Sequence, residues 1–385
     1  MKKSLYLFFA LSVLLNLSCK KDKLSNTDPY DDKRKALLSS HFQDLKIETF
    51  SPIYLGKSSL KDLLDKKKRN ELIKVRDSLW RNSLGKSSFY QSDEMIVTPD
   101  NSSYIYPGSI IKAASVNSGI FEPLTGFAGK PINVALSFPS GKSYGVIDYP
   151  ALSSSRVFLR NALMDPDFSG TQIVDFLFNA SSFTNYNEVK LAYGYNMDEK
   201  ALFYSVNTSF NYNSSRTNYS TGMMATYTVK NFTYSMSDPT ENELIDRAAL
   251  PANIFEGVSP VFINSVTYGR FGFFMIETNN TSSQMRSVFE KMVKKIFKKT
   301  DENLTQEEKQ LISTCRITLN LLGKPGGGSI TKLLTNPDSD ALSNFISENL
   351  GVFTAKDPGV PISFTAKYLK NNTLFKTVFH LDFPY

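Results

Sequence analysis

Two runs between residues 189 and 212 alternate apolar and polar side chains almost without interruption. The first sets Val189, Leu191, Tyr193, Tyr195 and Met197 on one side of an extended chain and Lys190, Ala192, Gly194 and Asn196 on the other. The second sets Tyr204, Val206, Thr208, Phe210 and Tyr212 against Ser205, Asn207, Ser209, Asn211 and Asn213. Successive strand side chains point to opposite faces, so each run reads as an amphipathic strand of about nine residues, the length that crosses a bilayer when tilted. Asp198, Glu199 and Lys200 between them would make a charged hairpin tip. Antiparallel sheets with one wet face alternate in the same way, so the pattern alone leaves a soluble sheet and a membrane hairpin both open.

A chain of 385 residues has room for about two to three domains. With 41% hydrophobic residues it can bury a sizeable core, and its 29 Phe and 19 Tyr lean towards strands. Beyond the N-terminus no apolar run approaches the roughly 20 residues of a spanning helix. Membrane crossing would therefore use strands, which need a closed barrel to satisfy their backbone groups. One chain offers too few strands for that, so many copies would have to combine.

The N-terminus reads as an export signal. Lys2 and Lys3 precede an apolar stretch from Leu5 to Leu15, and Asn16-Leu17-Ser18-Cys19 follows. This resembles a bacterial lipoprotein signal, with 1–18 removed and Cys19 left as a diacylated N-terminus; two acyl chains anchor stably where one does not. Residues 19–45 then read as the lipidated cysteine and a flexible tether. Lys20-Lys21-Asp22 resembles the surface-export signals of Bacteroidetes lipoproteins, although the adjacent acidic pair is absent. The expected location is the outer membrane or surface of a Gram-negative cell, with or without release. With Cys19 lipidated, only Cys315 remains, and its lead into Ile317, Leu319 and Leu321 predicts a buried apolar thiol.

The formal net charge of +7 is mild for 385 residues. Basic residues concentrate at Lys66-Lys67-Lys68-Arg69 and at Lys291, Lys294, Lys295, Lys298 and Lys299, without interleaved base-stacking aromatics. Solvated faces are expected rather than a nucleic-acid site, and Lys66 to Arg69 is a candidate protease-accessible site. His41 and His380 are the only histidines and lie in no metal-ligand spacing. No phosphate loop, nucleotide fingerprint or serine nucleophile elbow is present. Neither a cofactor, a metal nor an enzymatic activity is expected.

Strands are expected at Glu94 to Thr98, Ile132 to Phe138, Met224 to Met236 and Arg270 to Thr278, and helices at Leu60 to Arg81, Met285 to Lys298 and Asp340 to Asn349. The helix from Met285 is the clearest, because Met285, Val288, Phe289, Met292, Val293 and Ile296 recur at three- and four-residue spacing with lysines opposite. Its β alternation is poor, so 189–212 reads as an inserting hairpin more readily than 282–315.

Several segments, taken in order, resemble the cholesterol-dependent (thiol-activated) cytolysins. Ser265-Val266-Thr267-Tyr268-Gly269-Arg270 followed by Met275-Ile276-Glu277-Thr278 is similar to a signature strand of that family, and Ser282 to Lys294 to the helix after it. Tyr106-Pro107-Gly108, Pro131 to Val134, Lys230 to Ser235, Leu321-Leu322-Gly323, and Asp357 to Thr365 with Tyr368 to Asn372 match in family order. The resemblance implies an α+β fold of the cholesterol-dependent-cytolysin type, a bent antiparallel central sheet flanked by two helical clusters. It also implies that the clusters, at about 185–222 and 282–315, unfurl into hairpins within a ring of copies. Gly323 matches the first of a glycine pair at a sheet hinge; Lys324 replaces the second, with Gly326 and Gly327 close behind. An acidic residue that pairs charges between subunits falls on Ser182, with Glu188 out of register. Region 46–385 is expected to be the pore-forming part, without the family's C-terminal cholesterol-binding domain, since thirteen residues follow Asn372; cholesterol binding by that route is not expected. The implied function is the short component of a hetero-oligomeric β-barrel pore, with a longer cytolysin-like partner, target-membrane lipid and a bacterial target. The alternative is a non-lytic surface lipoprotein of the same fold, acting as an adhesin or as an inhibitor of a related toxin.

Overall fold

In the computed structural model, residues 42–57, 73–98, 101–168, 175–183, 219–240, 243–251, 253–298, 303–323, 329–350 and 353–384 are described. Two long strands organise them. One is β9 (Thr221–Met236) and the other β10 (Val261–Thr278), paired antiparallel over nearly their whole length. Each changes its second neighbour halfway along. The end of β10 from Phe271 to Glu277 pairs with β11 (Arg316–Leu322), and its beginning, Val261 to Gly269, pairs with β13 (Val360–Tyr368). Likewise β9 pairs with β8 (Asp175–Phe183) from Gly222 to Lys230, and with β6 (Ile132–Leu136) from Tyr234 to Met236. Adding β12 (Ser329–Thr335) beside β11, β7 (Tyr144–Ile147) beside β6, and the short β4 (Met95–Ile96) and β5 (Ile110–Ile111) completes a ten-stranded sheet.

Burial along β10 explains its composition. From Gly269 to Thr278 every residue is buried, so both faces are covered and the period-two alternation of a half-wet strand disappears. On one face lie α3 (Ser282–Lys298), α4 (Gln306–Ser313) and α5 (Ser339–Leu350). Met285, Val288, Phe289 and Met292 of α3 join Phe274, Ile276, Ile317 and Leu319 of the sheet in one apolar cluster. Helical spacing thus delivers one stripe of α3 to the sheet, as the sequence predicts. Thr305 starts α4 with a reciprocal capping box, its hydroxyl accepting from the Glu308 amide while Glu308 accepts from the Thr305 amide at 2.7 Å. Two further helices, α1 (Ala113–Ser118) and α2 (Leu152–Leu163), pack near β5 to β7.

A separate four-stranded sheet holds β2 (Ile73–Leu79), β3 (Gly85–Ser92), β14 (Thr377–Pro384) and β1 (Ile53–Lys57), with β1 parallel to β14. Here two expectations are corrected. Of the helix expected over 60–81, residues 60–72 lie outside the described residues and Ile73 to Leu79 is a strand, because Ile73 and Val75 favour extended backbone and Ser83, at φ 58°, closes a hairpin onto β3. Trp80 stands in that hairpin, donating to Ser87 Oγ at 3.0 Å. The tether expected to run through 45 ends earlier: Phe42 and Leu45 are buried in the apolar cluster that also holds Leu244 and Ile245, and Phe42 meets the Phe255 ring edge-on.

Candidate functional site

The joint where β9 and β10 change partners brings the signature residues together. At Tyr268–Gly269 the β9–β10 register slips, so Asn231 lies opposite no residue and forms a bulge. Fully buried, Asn231 donates its side-chain amide to the Pro358 carbonyl at 3.0 Å. Gly269 is required by contact: a Cβ there would fall 2.0 Å from the Val229 carbonyl oxygen. Gly323, at the end of β11, and Gly359, just before β13, have φ of +83° and +90°. A Cβ on either would lie 2.8 Å or 2.6 Å from the Gly269 carbonyl oxygen. The ends of two strands can thus converge on one carbonyl of a third only because all three positions lack a side chain.

Arg270 ties these ends together. Its side chain is almost fully buried; Nε donates to the Gly323 carbonyl and an η nitrogen to Asp357 Oδ2, each at 2.8 Å. The guanidinium also lies 4.5 Å from the centroid of the Phe353 ring. One cation therefore bridges the residue just after β11, the turn before β13 and the aromatic residue leading into it, with its charge compensated in place. Tyr268 stacks on Phe232 with centroids 4.9 Å apart, and burial pushes its hydroxyl up to about 12.

At the far end of the β10–β11 ladder, buried Glu277 faces Arg316 at 3.6 Å, and the helical cluster begins just beyond. Lys291 of α3 bridges Glu308 of α4 at 3.1 Å, and Lys309 bridges Asp340 of α5 at 2.9 Å. Cys315 is buried and donates to the Leu311 carbonyl at 3.2 Å; burial pushes its thiol up to about 11, which makes it a packing residue rather than a nucleophile.

Of the residues singled out from sequence, Tyr268, Gly269, Arg270 and Gly323 meet at the joint and Glu277 stands at the ladder's end. Ser182 lies in β8, opposite Met223. Cys19, Lys66 to Arg69, Gly326, Gly327 and the nine lipid-facing candidates from Val189 to Tyr212 lie outside the described residues. Sequence reasoning assigned no role to Asn231, Phe353, Asp357 or Gly359. The Asp357-Pro358-Gly359 turn signal was the available cue. Among the described residues no cluster of His, Cys, Asp and Glu could hold a metal, and no helix is long and apolar enough to cross a membrane. What the joint offers is mechanical, a place where two strand ends are held to a third.

Comparison with known proteins agrees with this geometry. Residues 79–379 match the family profile described as thiol-activated cytolysin. Tetanolysin of Clostridium tetani is 25% identical over 284 residues, 70% of this chain and 51% of that protein. Streptolysin O of Streptococcus pyogenes is 30% identical over 115 residues, 30% of this chain and 19% of that protein. The chain spans about half the length of the curated relatives it matches over most of its own length, 51% of tetanolysin and 49% of perfringolysin O of Clostridium perfringens. The crystal structure of listeriolysin O superposes with a TM-score of 0.65 at 14% identity, over 93% of this chain and 74% of that one. Pneumolysin superposes at 0.62 with 17% identity, over 91% and 74%. These likenesses show a common fold, α+β with a large antiparallel central sheet.

Proposed function

Because the chain belongs to the thiol-activated cytolysin family, whose members are non-enzymatic pore formers, we propose that it is a pore-forming subunit that inserts the segment between β8 and β9 into a membrane as a β-hairpin. The observation that carries this reading is a register. The β8–β9 ladder runs without a slip from Asp175↔Lys230 to Phe183↔Gly222. Continued step by step, it would set Tyr193 opposite Tyr212, Tyr195 opposite Phe210 and Met197 opposite Thr208.

Directly opposite residues share a face. Val189, Leu191, Tyr193, Tyr195 and Met197 would then share theirs with Tyr204, Val206, Thr208, Phe210 and Tyr212, and the other face would be Lys190, Ala192, Gly194 and Asn196 with Asn207, Ser209, Asn211 and Asn213. A register one residue different would mix the two sets. In this register Arg216 falls opposite Val189 and Glu199 opposite Val206, so the charge-free stretch of that face runs from Leu191 to Met197 with Thr208 to Ser214, close to the span of a tilted membrane strand. The same continuation puts the tip at Leu202–Phe203 rather than at the charged triplet 198–200.

In the finer form of this reading the chain is exported as a lipoprotein through Cys19. It assembles with copies of itself and with a longer cytolysin-like partner that supplies membrane recognition, and it acts on bacterial membranes. Lys66 to Arg69 is the activating cleavage site and Gly323, Gly326 and Gly327 are the hinge. The test is dye release from bacterial-lipid liposomes by the chain alone, after mild proteolysis, and mixed with a longer cytolysin-like protein. Release confined to the mixture, with rings in electron micrographs, is expected. No release under any condition, from a folded chain that blocks a related toxin, would replace the pore with the inhibitor reading.

A further inference from the structure

The half of the large sheet built on β6, β7 and β13 ends in an apolar edge that the fold of a single chain does not use. We propose that the exposed face of β7, centred on Tyr144 and Val146, is a contact between copies of this chain in the ring, met by Leu374 of the next copy; this rests on the pore reading above. One edge of β9 is taken by β10 along nearly its whole length, so β8 and β6 must both pair with the other edge, one near each end of the strand. Outward of β6 comes β7. Among the described residues β8 has β9 as its one strand neighbour. A closed barrel leaves no strand edge unpaired, so the arm that continues β8 has to pair with the next copy, and this side of the sheet faces it. On that same side β7 stands two strands out from β9 where β8 stands one, about 4.8 Å farther. A spacing at which the β8 arms pair therefore brings β7 up against the next copy.

The side chains of β7 suit such a contact. Ile147 is buried in the core, and Gly145 lies under the Phe158 ring, which a Cβ would meet at 2.9 Å. Tyr144 and Val146, on the opposite face, are 76% and 56% exposed, and Tyr149 just beyond is 72% exposed. Ala135 and Asn133, their partners on β6, are exposed and uncharged. Edge strands in water are ordinarily guarded by charges or bulges. The edge strand β2 has both, with Lys74, Arg76 and Asp77 and a register slip between Lys74 and Arg76. Neither guard is present on β7, and tyrosine beside an aliphatic side chain is the chemistry of an interface core.

Register identifies the receiving surface. A closed ring has no rise, so each level of one sheet meets the same level of the next. Tyr144, Ala135, Ser235, Ser265 and Thr365 form one row across β7, β6, β9, β10 and β13. Just past the end of that row Leu374 bridges to Lys367 of β13 and is 39% exposed. Tyr144 and Val146 of one copy thus meet Leu374 of the next.

Assembly can be read separately from lysis. The full chain carrying Cys19→Ser, Tyr144→Cys and Leu374→Cys is treated with a short bismaleimide on bacterial-lipid liposomes, with Cys19→Ser alone as the reference. Covalent multimers of this chain are expected, and none when either added cysteine is left out. Dye release by the reference without multimers from the double-cysteine chain overturns the proposal. A second variant, Tyr144→Glu with Val146→Glu, changes only solvent-facing positions of the single chain, so its urea midpoint should match the wild type. Its dye release should fall by about tenfold or more, the effect of losing a central aromatic contact, and release at the wild-type rate overturns the proposal as well. Cross-linking without leakage leaves the contact standing and removes the pore reading alone. If the chain neither cross-links nor leaks in any mixture, the pore reading fails and this contact with it.

Discussion

Two glycine substitutions isolate the energy stored in close approach at the joint. Gly359 and Gly126 have nearly the same φ, +90° and +89°, but a Cβ on Gly359 would lie 2.6 Å from the Gly269 carbonyl oxygen, whereas nothing lies within 4 Å of one on Gly126. Alanine at either site meets the left-handed penalty of roughly 1–2 kcal/mol. It also gains back about 0.4–1 kcal/mol from a stiffer unfolded chain. Those contributions cancel in the comparison. What remains for Gly359→Ala is overpacking against backbone, which cannot swing aside like a side chain and costs roughly 1–3 kcal/mol. Urea unfolding at constant m should therefore show Gly359→Ala less stable than Gly126→Ala by about that amount. Equal losses would mean that the strand ends have room at the joint, and the three-glycine convergence would not be what sets their spacing.

Further outcomes follow from the same contacts. Arg270→Lys keeps the charge but cannot serve the Gly323 carbonyl and Asp357 with one fork, so it should lose about 1.5–3 kcal/mol, one charged hydrogen bond; a wild-type urea midpoint would remove Arg270 as the tie. Tyr193→Lys and Phe210→Lys each place a charge on the lipid face at a cost of about 2–4 kcal/mol and should abolish dye release, while Asn207→Lys, on the lumen face, should not; circular dichroism checks that the soluble fold is intact. Glu308 is held below the ordinary carboxylate range, chiefly by the Thr305 amide and further by Lys291, against the opposing effect of burial. A depressed folded value means its stabilisation is present above the ordinary range, near pH 4, and is lost as pH falls through the folded value. Glu308→Gln should therefore lower stability at neutral pH and converge with wild type in acid.

The helix α3 was legible because its apolar residues recur at one period and meet one surface: Met285, Val288, Phe289 and Met292 are each buried to 2% exposure or less. The signature strand was legible too, as β10 runs through all of it. The small sheet was not. Its hairpin turn has Ser83 where glycine or asparagine would signal a left-handed residue, and its β1–β14 pairing joins Ile53 to Phe379, a parallel contact no local pattern records. Asp357 and Gly359 lie inside the family-like segment Asp357 to Thr365, yet their roles exist only through Arg270 and Gly269, nearly ninety residues earlier in the chain. Phe42 reads as part of a polar tether because its ring partner, Phe255, comes some two hundred positions later.

Whether the hairpin continues the β8–β9 ladder can be tested through parity alone. Side chains alternate with period two, so removing one residue between Phe183 and Val189 turns the whole apolar run of that arm to the other face while leaving the second arm unchanged. Removing two restores the faces and shortens the arm by only about 7 Å. Deletion of Asn187 should therefore abolish dye release, and the larger deletion of Tyr186 with Asn187 should leave it largely intact. That order is the reverse of what steric damage alone would give. Urea unfolding of both variants beside the wild type checks that the soluble fold survives each deletion. If the two deletions impair release equally, the hairpin does not take its register from β8 and β9. The lipid-facing assignment of Val189 to Tyr212 would then lose its structural support and rest on alternation alone, which a wet-faced soluble sheet explains equally well.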